Sequence, residues 1–264
     1  MVKTLSPVVA SHFQFEKAQF RYEPFPIGCT RPVFPADLYE ELQRSWPASE
    51  LFAFMPKLGK KYSLSEVNNP EAYHAFLGRT PVWKEIYDEV KSPDFAHKVV
   101  RMLKESFIDL GIPPEVAVNQ PRPTTETRKF WSWASHLSSE KAPGLKTRFE
   151  FSMLPADGGH IKPHTDSPGK LITLVVAFAG EDWNPAYGGA TTVLRPLDAT
   201  RSFNHLNKQA EFDDMEVLDS YPFQPNQCVV FVKTFNSWHA VSPMTGVGSL
   251  LMRKTLTINI ELAL

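Results

Sequence analysis

Cysteine is almost missing from this chain: Cys29 and Cys228 are the only two in 264 residues. Two thiols do not make a disulfide framework, and reduced residues in a cytoplasmic protein are expected. Long apolar runs are also missing. The longest, Leu171 to Ala179, is far too short to cross a bilayer as a helix. The opening segment, Met1 to Pro7, has no hydrophobic stretch of the signal-peptide kind. Charge of one sign is lacking too: 28 Lys+Arg against 29 Asp+Glu give a formal charge of -1, with no basic run. That balance argues against a nucleic-acid partner, as the apolar pattern argues against a membrane one. No internal repeat or low-complexity segment stands out, and nothing in the sequence specifies an oligomeric state.

What is present is enough apolar residue, 42% with 12% aromatic, to build an ordinary globular core. The first half carries helical patterns. Pro35 opens one with Leu38, Tyr39, Leu42 and Trp46 at spacings of three and four. Thr80-Pro81 precedes Val82, Trp83, Ile86, Tyr87 and Val90; Ser92-Pro93 precedes Phe95, Val99, Met102, Leu103 and Phe107, with Gly111 as the stop. Lys57 to Asn69 is polar and predicts a loop. From Arg148 the pattern changes to short apolar or alternating runs: Arg148 to Leu154, Leu171 to Ala179, Ala190 to Leu194, Gln227 to Val232 and Thr255 to Leu262. Gly158-Gly159, Pro168-Gly169, Gly188-Gly189 and Pro225-Asn226 punctuate them. Many short strands so arranged predict a barrel or jelly roll. The expectation is one integrated domain: a helical region over 1–147 packed on a β core over 148–264, with the polar stretch 195–226 as an insertion or lid.

The chemistry gathers around His164-Thr165-Asp166. On an extended segment, residues two apart point to one face, so this imidazole and this carboxylate would be neighbours. A lone His-x-Asp is weak, and a hydrogen-bonded surface pair is its ordinary explanation. The setting strengthens it, because a strand and a Gly158-Gly159 turn precede the pair and an apolar strand follows. His239, after the strand Cys228-Val229-Val230-Phe231-Val232, is the candidate third ligand. Two histidines and one carboxylate on one side of a metal form the usual site of a non-haem Fe(II) oxygenase. The other histidines (His12, His74, His97, His136, His160 and His205) are assigned no metal role, though His160 shares parity with His164 and Asp166 and suits a pocket rim. On the final strand, Leu256, Ile258, Ile260 and Leu262 alternate with Thr255, Thr257 and Asn259, and Arg253 shares the polar parity. That polar stripe faces either solvent or a polar lumen, where an arginine grips a carboxylate through two parallel hydrogen bonds. Lys254 points the other way.

With these residues in hand, the chain resembles the Fe(II)/2-oxoglutarate-dependent dioxygenases, especially their prolyl-hydroxylase-like branch. The likeness covers about residues 148 to 262, and more loosely Phe34 to Trp46. Its landmarks are His164-Thr165-Asp166-Ser167-Pro168, Lys170 to Leu174, Gly188 to Thr192, Phe231, His239 to Pro243, and Arg253 to Thr257. The resemblance implies a double-stranded β-helix (jelly roll, cupin-like) core with flanking helices. It implies iron held by His164, Asp166 and His239, and 2-oxoglutarate held by Arg253 with Thr257 and Thr173 assisting. Dioxygen would be the oxidant, succinate and carbon dioxide the products, and ascorbate could stimulate turnover. The chain departs from the pattern at Leu154, where relatives often place a tyrosine, and in a longer connection from Pro243 to Arg253.

Within that likeness the leading expectation is hydroxylation of an unactivated carbon of a small molecule, an amino acid or a biosynthetic intermediate. Asp166 favours hydroxylation over halogenation, while desaturation or ring closure begins with the same hydrogen abstraction. Two alternatives stand beside it: a protein side-chain hydroxylase of the prolyl type, which needs an open groove, and a non-catalytic jelly-roll module. Arg148, Glu150, Lys162, Lys170 and Trp238 are possible substrate contacts, each equally explained as a solvated charge or packed aromatic.

Overall fold

Residues 11–119 and 144–263 are described by a computed structural model; Met1 to Pro7 and His136 lie outside them. Two short strands, β1 (Gln19–Arg21) and β2 (Ile27–Thr30), precede helix α1 (Ala36–Arg44). Strands β3 (Ala53–Met55) and β4 (Lys61–Ser65) lead to α2 (Pro70–Arg79), α3 (Pro81–Lys91) and α4 (Pro93–Glu105). The remainder is strand: β5 (Gly144–Pro155), β6 (Ile161–His164), β7 (Lys170–Ala177), β8 (Thr191–Pro196), β9 (Met215–Tyr221), β10 (Cys228–Val232), β11 (His239–Val241) and β12 (Met252–Ala263).

The strands form two antiparallel sheets. The major one has eight strands in the order β1-β2-β10-β7-β12-β5-β4-β3, and the minor one four, β6-β11-β8-β9. This is the mainly β, jelly-roll core that the run of short strands predicts. Strand alternation assigns the two faces of the major sheet. On β12, Leu256, Ile258 and Ile260 are fully buried against the helices, while Arg253, Thr255, Thr257 and Asn259 turn inward. Neighbouring strands follow suit: Phe149, Phe151 and Met153 of β5 face the helices, as do Ile172, Leu174 and Val176 of β7.

Aromatic contacts fasten the helices to that outer face. Trp83 of α3 meets Phe151 edge-on at 4.7 Å between ring centroids, and Trp46, just past α1, meets the same ring at 5.3 Å. Tyr73 of α2 adds a hydrogen bond from its hydroxyl to Phe149 O (3.1 Å). Helix α4 starts as its sequence suggests, with the Ser92 hydroxyl accepting from Phe95 N (3.4 Å) and Pro93 in the first turn.

Its end differs from the expectation. Gly111 does not stop α4; the helix closes at Glu105, with Phe107 N bonded to Lys104 O and Ile108 N to Leu103 O. That is the Schellman pattern, and it puts Phe107 in the left-handed region (φ 59°), 91% exposed, while Ile108 takes the buried place. A second difference lies in Lys57 to Asn69, which contains β4 rather than only loop. Strand β4 shows its polar alternates, Lys61, Ser63 and Ser65, to the lumen and only Tyr62 and Leu64 to the core, so it lacks a hydrophobic signature. Strands β1 to β3 and helix α2 likewise had no recognised signal. The stretch 195–226 holds β9, paired with β8 in the minor sheet.

Phe151 lies where α1, α2, α3 and the sheet meet, with no exposure. Phe151→Ala should therefore lower stability by about 3–5 kcal/mol. Leu250, 96% exposed, provides the comparison: Leu250→Ala should stay within about 0.5 kcal/mol of the parent. Urea midpoints of the two variants measure both.

Candidate active site and metal centre

Strand register brings the two histidines together. In the β6–β11 ladder, His164 and His239 are direct cross-strand partners, and their ring centroids lie 4.3 Å apart. Each ring is oriented by its own backbone. His164 Nδ1 lies 2.9 Å from Lys162 O, and His239 Nδ1 lies 2.8 Å from Ser237 O. A carbonyl can only accept, so Nδ1 carries the proton on both rings and both Nε2 lone pairs are left free.

Asp166 completes the group, though not by strand alternation. Strand β6 stops at His164, and Asp166 adopts a left-handed conformation (φ 69°) in the following turn. A non-glycine residue held there is a strain the surroundings must over-determine. They do: Lys170 Nζ lies 2.7 Å from Asp166 Oδ1, and Thr173 Oγ1 lies 3.0 Å from Oδ2. Thr173 is also 3.0 Å from Asn259 Oδ1. One hydroxyl proton cannot serve both oxygens, so the Asn259 amide fits best with its nitrogen toward Thr173. The carboxylate oxygens lie 3.6 Å from His164 Nε2 and 4.0 Å from His239 Nε2, and one ligand atom from each residue lies within 4.8 Å of the others. Among the described residues no other set of three or more such side chains gathers this way.

The electrostatics suit a divalent cation. Burial alone would raise the Asp166 carboxyl, but the neighbouring His164 and the charge of Lys170 outweigh it and hold it well below the usual carboxylate range. Burial first, then the neighbouring His164, lowers His239 to about 3. The site therefore offers one anionic oxygen donor and neutral imidazole nitrogen near pH 7, which is what a metal needs from its ligands.

A cavity of about 130 Å³ extends from this group along the inner face of β12, past Thr257 and Thr255 to Arg253. Arg253 is 5% exposed; its Nε donates to Gly189 O (2.6 Å), and its guanidinium carbon sits 4.9 Å from the Phe223 ring centroid. Burial lowers it to about 10, with no neighbouring charge contributing. Gly189 makes the approach possible: at φ +84°, a Cβ there would stand 3.1 Å from Arg253 Cδ. Arg253 is directly opposite Leu154 across the β5–β12 ladder, so the departure from the tyrosine pattern falls beside the guanidinium. A buried cation without an anion costs several kcal/mol, and the space in front of it suits a carboxylate.

Other side chains separate into those that reach the cavity and those that do not. Lys170, Thr173 and Thr257 line it, with Thr255 of the same polar stripe as Arg253, joined by Lys61 and Ser152, which sequence reasoning did not single out. Period-two parity from Leu154 would have found Ser152. Glu150 is buried in an ion pair with Lys61 (2.6 Å); burial pushes its carboxyl up, but Lys61, Ser63 and Lys170 together bring it down overall. Trp238 is packed away from the cavity, its indole donating to Ser202 O (2.9 Å). Lys162 pairs with Glu211, and His160 Nδ1 lies 3.0 Å from Gly158 O; neither lines the cavity.

Residues 197–214 brace the ligand-bearing segments from behind. Thr165, fully buried between two candidate ligands, donates from its hydroxyl to Asn204 O (3.1 Å) and from its backbone nitrogen to Asn207 Oδ1 (3.2 Å). Ala210 N bonds to Pro163 O (3.0 Å) and Asn204 N to Phe235 O (2.7 Å). The polar stretch thus buttresses both halves of the His-Asp-His group.

Comparisons with known proteins agree with this geometry. Residues 149–261 match the family model described as the 2OG-Fe(II) oxygenase superfamily, where 2OG is 2-oxoglutarate. No curated protein sequence matches the chain. Among solved structures it is similar to the alpha-ketoglutarate-dependent epimerase SnoN from nogalamycin biosynthesis, with 13% identity, 94% of this chain and 78% of that chain covered, and a TM-score of 0.50. It is also similar to a Pseudomonas putida prolyl-4-hydroxylase (13% identity, 89% and 91% covered, TM-score 0.42) and to HygX from Streptomyces hygroscopicus (9%, 94% and 85%, 0.45). At these identities the structural likeness concerns the fold, and the family match lies over the strands that carry every ligand candidate. The likeness to the 2OG-Fe(II) oxygenase superfamily thus spans residues 149–261, which carry the His-Asp-His group and Arg253, and it supports a 2-oxoglutarate-dependent dioxygenase.

Proposed function

We propose that His164, Asp166 and His239 hold one Fe(II), that Arg253 anchors the distal carboxylate of 2-oxoglutarate, and that the enzyme hydroxylates an unactivated carbon of a small molecule. The observation that carries this is the pairing of a His-Asp-His group with a buried arginine that has no charged neighbour among the described residues, both on one cavity. The donor set is the two-histidine, one-carboxylate kind suited to non-haem iron. Bound iron and 2-oxoglutarate supply the oxidation, releasing succinate and carbon dioxide.

The chain's own residues orient and shield. The backbone carbonyls of Lys162 and Ser237 fix both imidazoles in the tautomer that offers Nε2. Lys170 and Thr173 hold the Asp166 carboxylate in place. Thr255 and Ser152 are cross-strand partners on the inner face, two positions from the Arg253–Leu154 pair, and set hydroxyls beside the guanidinium where the tyrosine of relatives is missing. Thr257 lines the next inward position toward the metal group. Val175, Phe231 and Val241 supply apolar wall that keeps water away from the reacting carbon. A small substrate fits best because the cavity is a modest chamber between the sheets rather than a long open groove.

Anaerobic addition of Fe(II) and 2-oxoglutarate should give the metal-to-ligand charge-transfer band of a chelated keto acid. His164→Ala and Asp166→Ala should each abolish it, and with it substrate-dependent succinate release, while far-ultraviolet circular dichroism stays native; a full band in either variant rejects these ligands. Arg253→Ala should raise the 2-oxoglutarate concentration needed for half-maximal band by about 100-fold, the scale of losing a buried charge-assisted pair of about 2–3 kcal/mol. Lys254→Ala, on the opposite parity, should change it less than about threefold. The reverse ranking in the same titration would refute the assigned anchor.

A further inference from the structure

We infer that the substrate of this site carries an acidic group, carboxylate or phosphate, and that Lys170 receives it; this rests on the function proposed above and names the substrate class. The argument is a balance of charges around the cavity. Lys170 Nζ is 2.7 Å from Asp166 Oδ1, its side chain is only 19% exposed, and it lines the cavity. Once Asp166 serves a divalent ion, its single negative charge no longer balances Lys170 as well. The keto-acid carboxylate of 2-oxoglutarate, with Asp166, neutralises the metal. The distal carboxylate neutralises Arg253.

Among the described residues, the nearby carboxylates besides Asp166 have cations of their own. Glu150 is matched by Lys61 at 2.6 Å. Glu261, whose backbone pairs with Lys170 across β12 and β7, lies within 3.5 Å of Lys146 and 3.8 Å of Arg148. Lys233, which burial lowers against the opposing pull of Asp166, sits 4.3 Å from the Phe235 ring and brings no negative charge. The loaded cavity thus retains a largely desolvated ammonium beside the metal, and such a group favours an anion over a neutral ligand. Hydrogen bonding of the substrate oxyanion to Lys170 would hold the molecule by one end and present its carbon skeleton to the metal face.

The test uses the full chain loaded anaerobically with Fe(II) and saturating 2-oxoglutarate, the charge-transfer band reporting that both stay bound. Carbon-13 acetate, inorganic phosphate and, as the neutral control, acetamide are titrated separately, and paramagnetic line broadening by the iron is read against a Zn(II)-loaded sample. Saturable broadening of acetate or phosphate, but not of acetamide, is expected, and which anion saturates at lower concentration separates the two oxyanions. With metal and 2-oxoglutarate loading matched to the parent by the band, Lys170→Met should abolish it and Lys170→Arg should keep it. Three results would overturn the proposal: no saturable broadening of either anion in the parent, equal broadening in Lys170→Met, or loss of the band in both variants, which would make Lys170 only a support for Asp166. A parent protein that gives no charge-transfer band refutes the iron and 2-oxoglutarate assignment instead, so the two failures are distinct.

Discussion

The site depends on one cross-strand pairing. Because His164 of β6 sits directly opposite His239 of β11, beside a register shift between His239 and Val241, two imidazoles 75 positions apart in sequence meet across the ladder. A slip of one residue in that ladder would turn every side chain on the moved strand to the other face. The register is protected accordingly: β11 is flanked on its other edge by β8, and the 197–214 stretch bonds to Pro163, Thr165 and Trp238, residues adjoining the two ligands. Asp166 then joins from a turn, held by a lysine and a threonine rather than by strand geometry.

The same architecture explains why a polar interior is tolerable. A β-sheet buried on both faces ordinarily reads as continuous hydrophobic sequence. Here the outer face of the major sheet is apolar and packed by the helices, whereas the inner face carries Lys61, Glu150, Arg253, Thr255 and Asn259. Among the described residues each charge on it has a compensation, from Lys61 with Glu150 to Lys170 with Asp166, except at Arg253. That exception makes Arg253 the most informative group in the lumen. An anion in front of it would convert a desolvation penalty into binding energy.

The catalytic half was legible because its strands are long or strongly apolar and its turns carry glycine and proline. Thr255 to Leu262 alternates cleanly, and Arg253 falls on the polar parity that the structure turns inward. Strand β4 was hidden for the converse reason: its lumen-facing residues are Lys61, Ser63 and Ser65, so local hydrophobicity gives no sign of burial. Phe107 misled in the opposite direction, since its spacing continues the apolar stripe of α4 while a Schellman turn two residues after the helix end sends the ring to solvent. The polar composition of 195–226 suggested an insertion or lid, and a strand within it pairs with β8 in the minor sheet. Composition cannot distinguish hydrogen bonding to a neighbouring segment from hydrogen bonding to water.

Sequence alone determined the chemical inventory: two histidines, a carboxylate and an arginine, spaced among short strands whose period-two pattern assigns faces. Those features are local, and local patterns survive in one dimension. Tertiary structure decided what the inventory does. Only the ladder register places His164 beside His239, only the left-handed turn aims Asp166 at them, and only the packing of two sheets shows that Arg253 is buried with no charge among the described residues to answer it. Pairing and burial are properties of segments distant in the chain, so no window of sequence contains them.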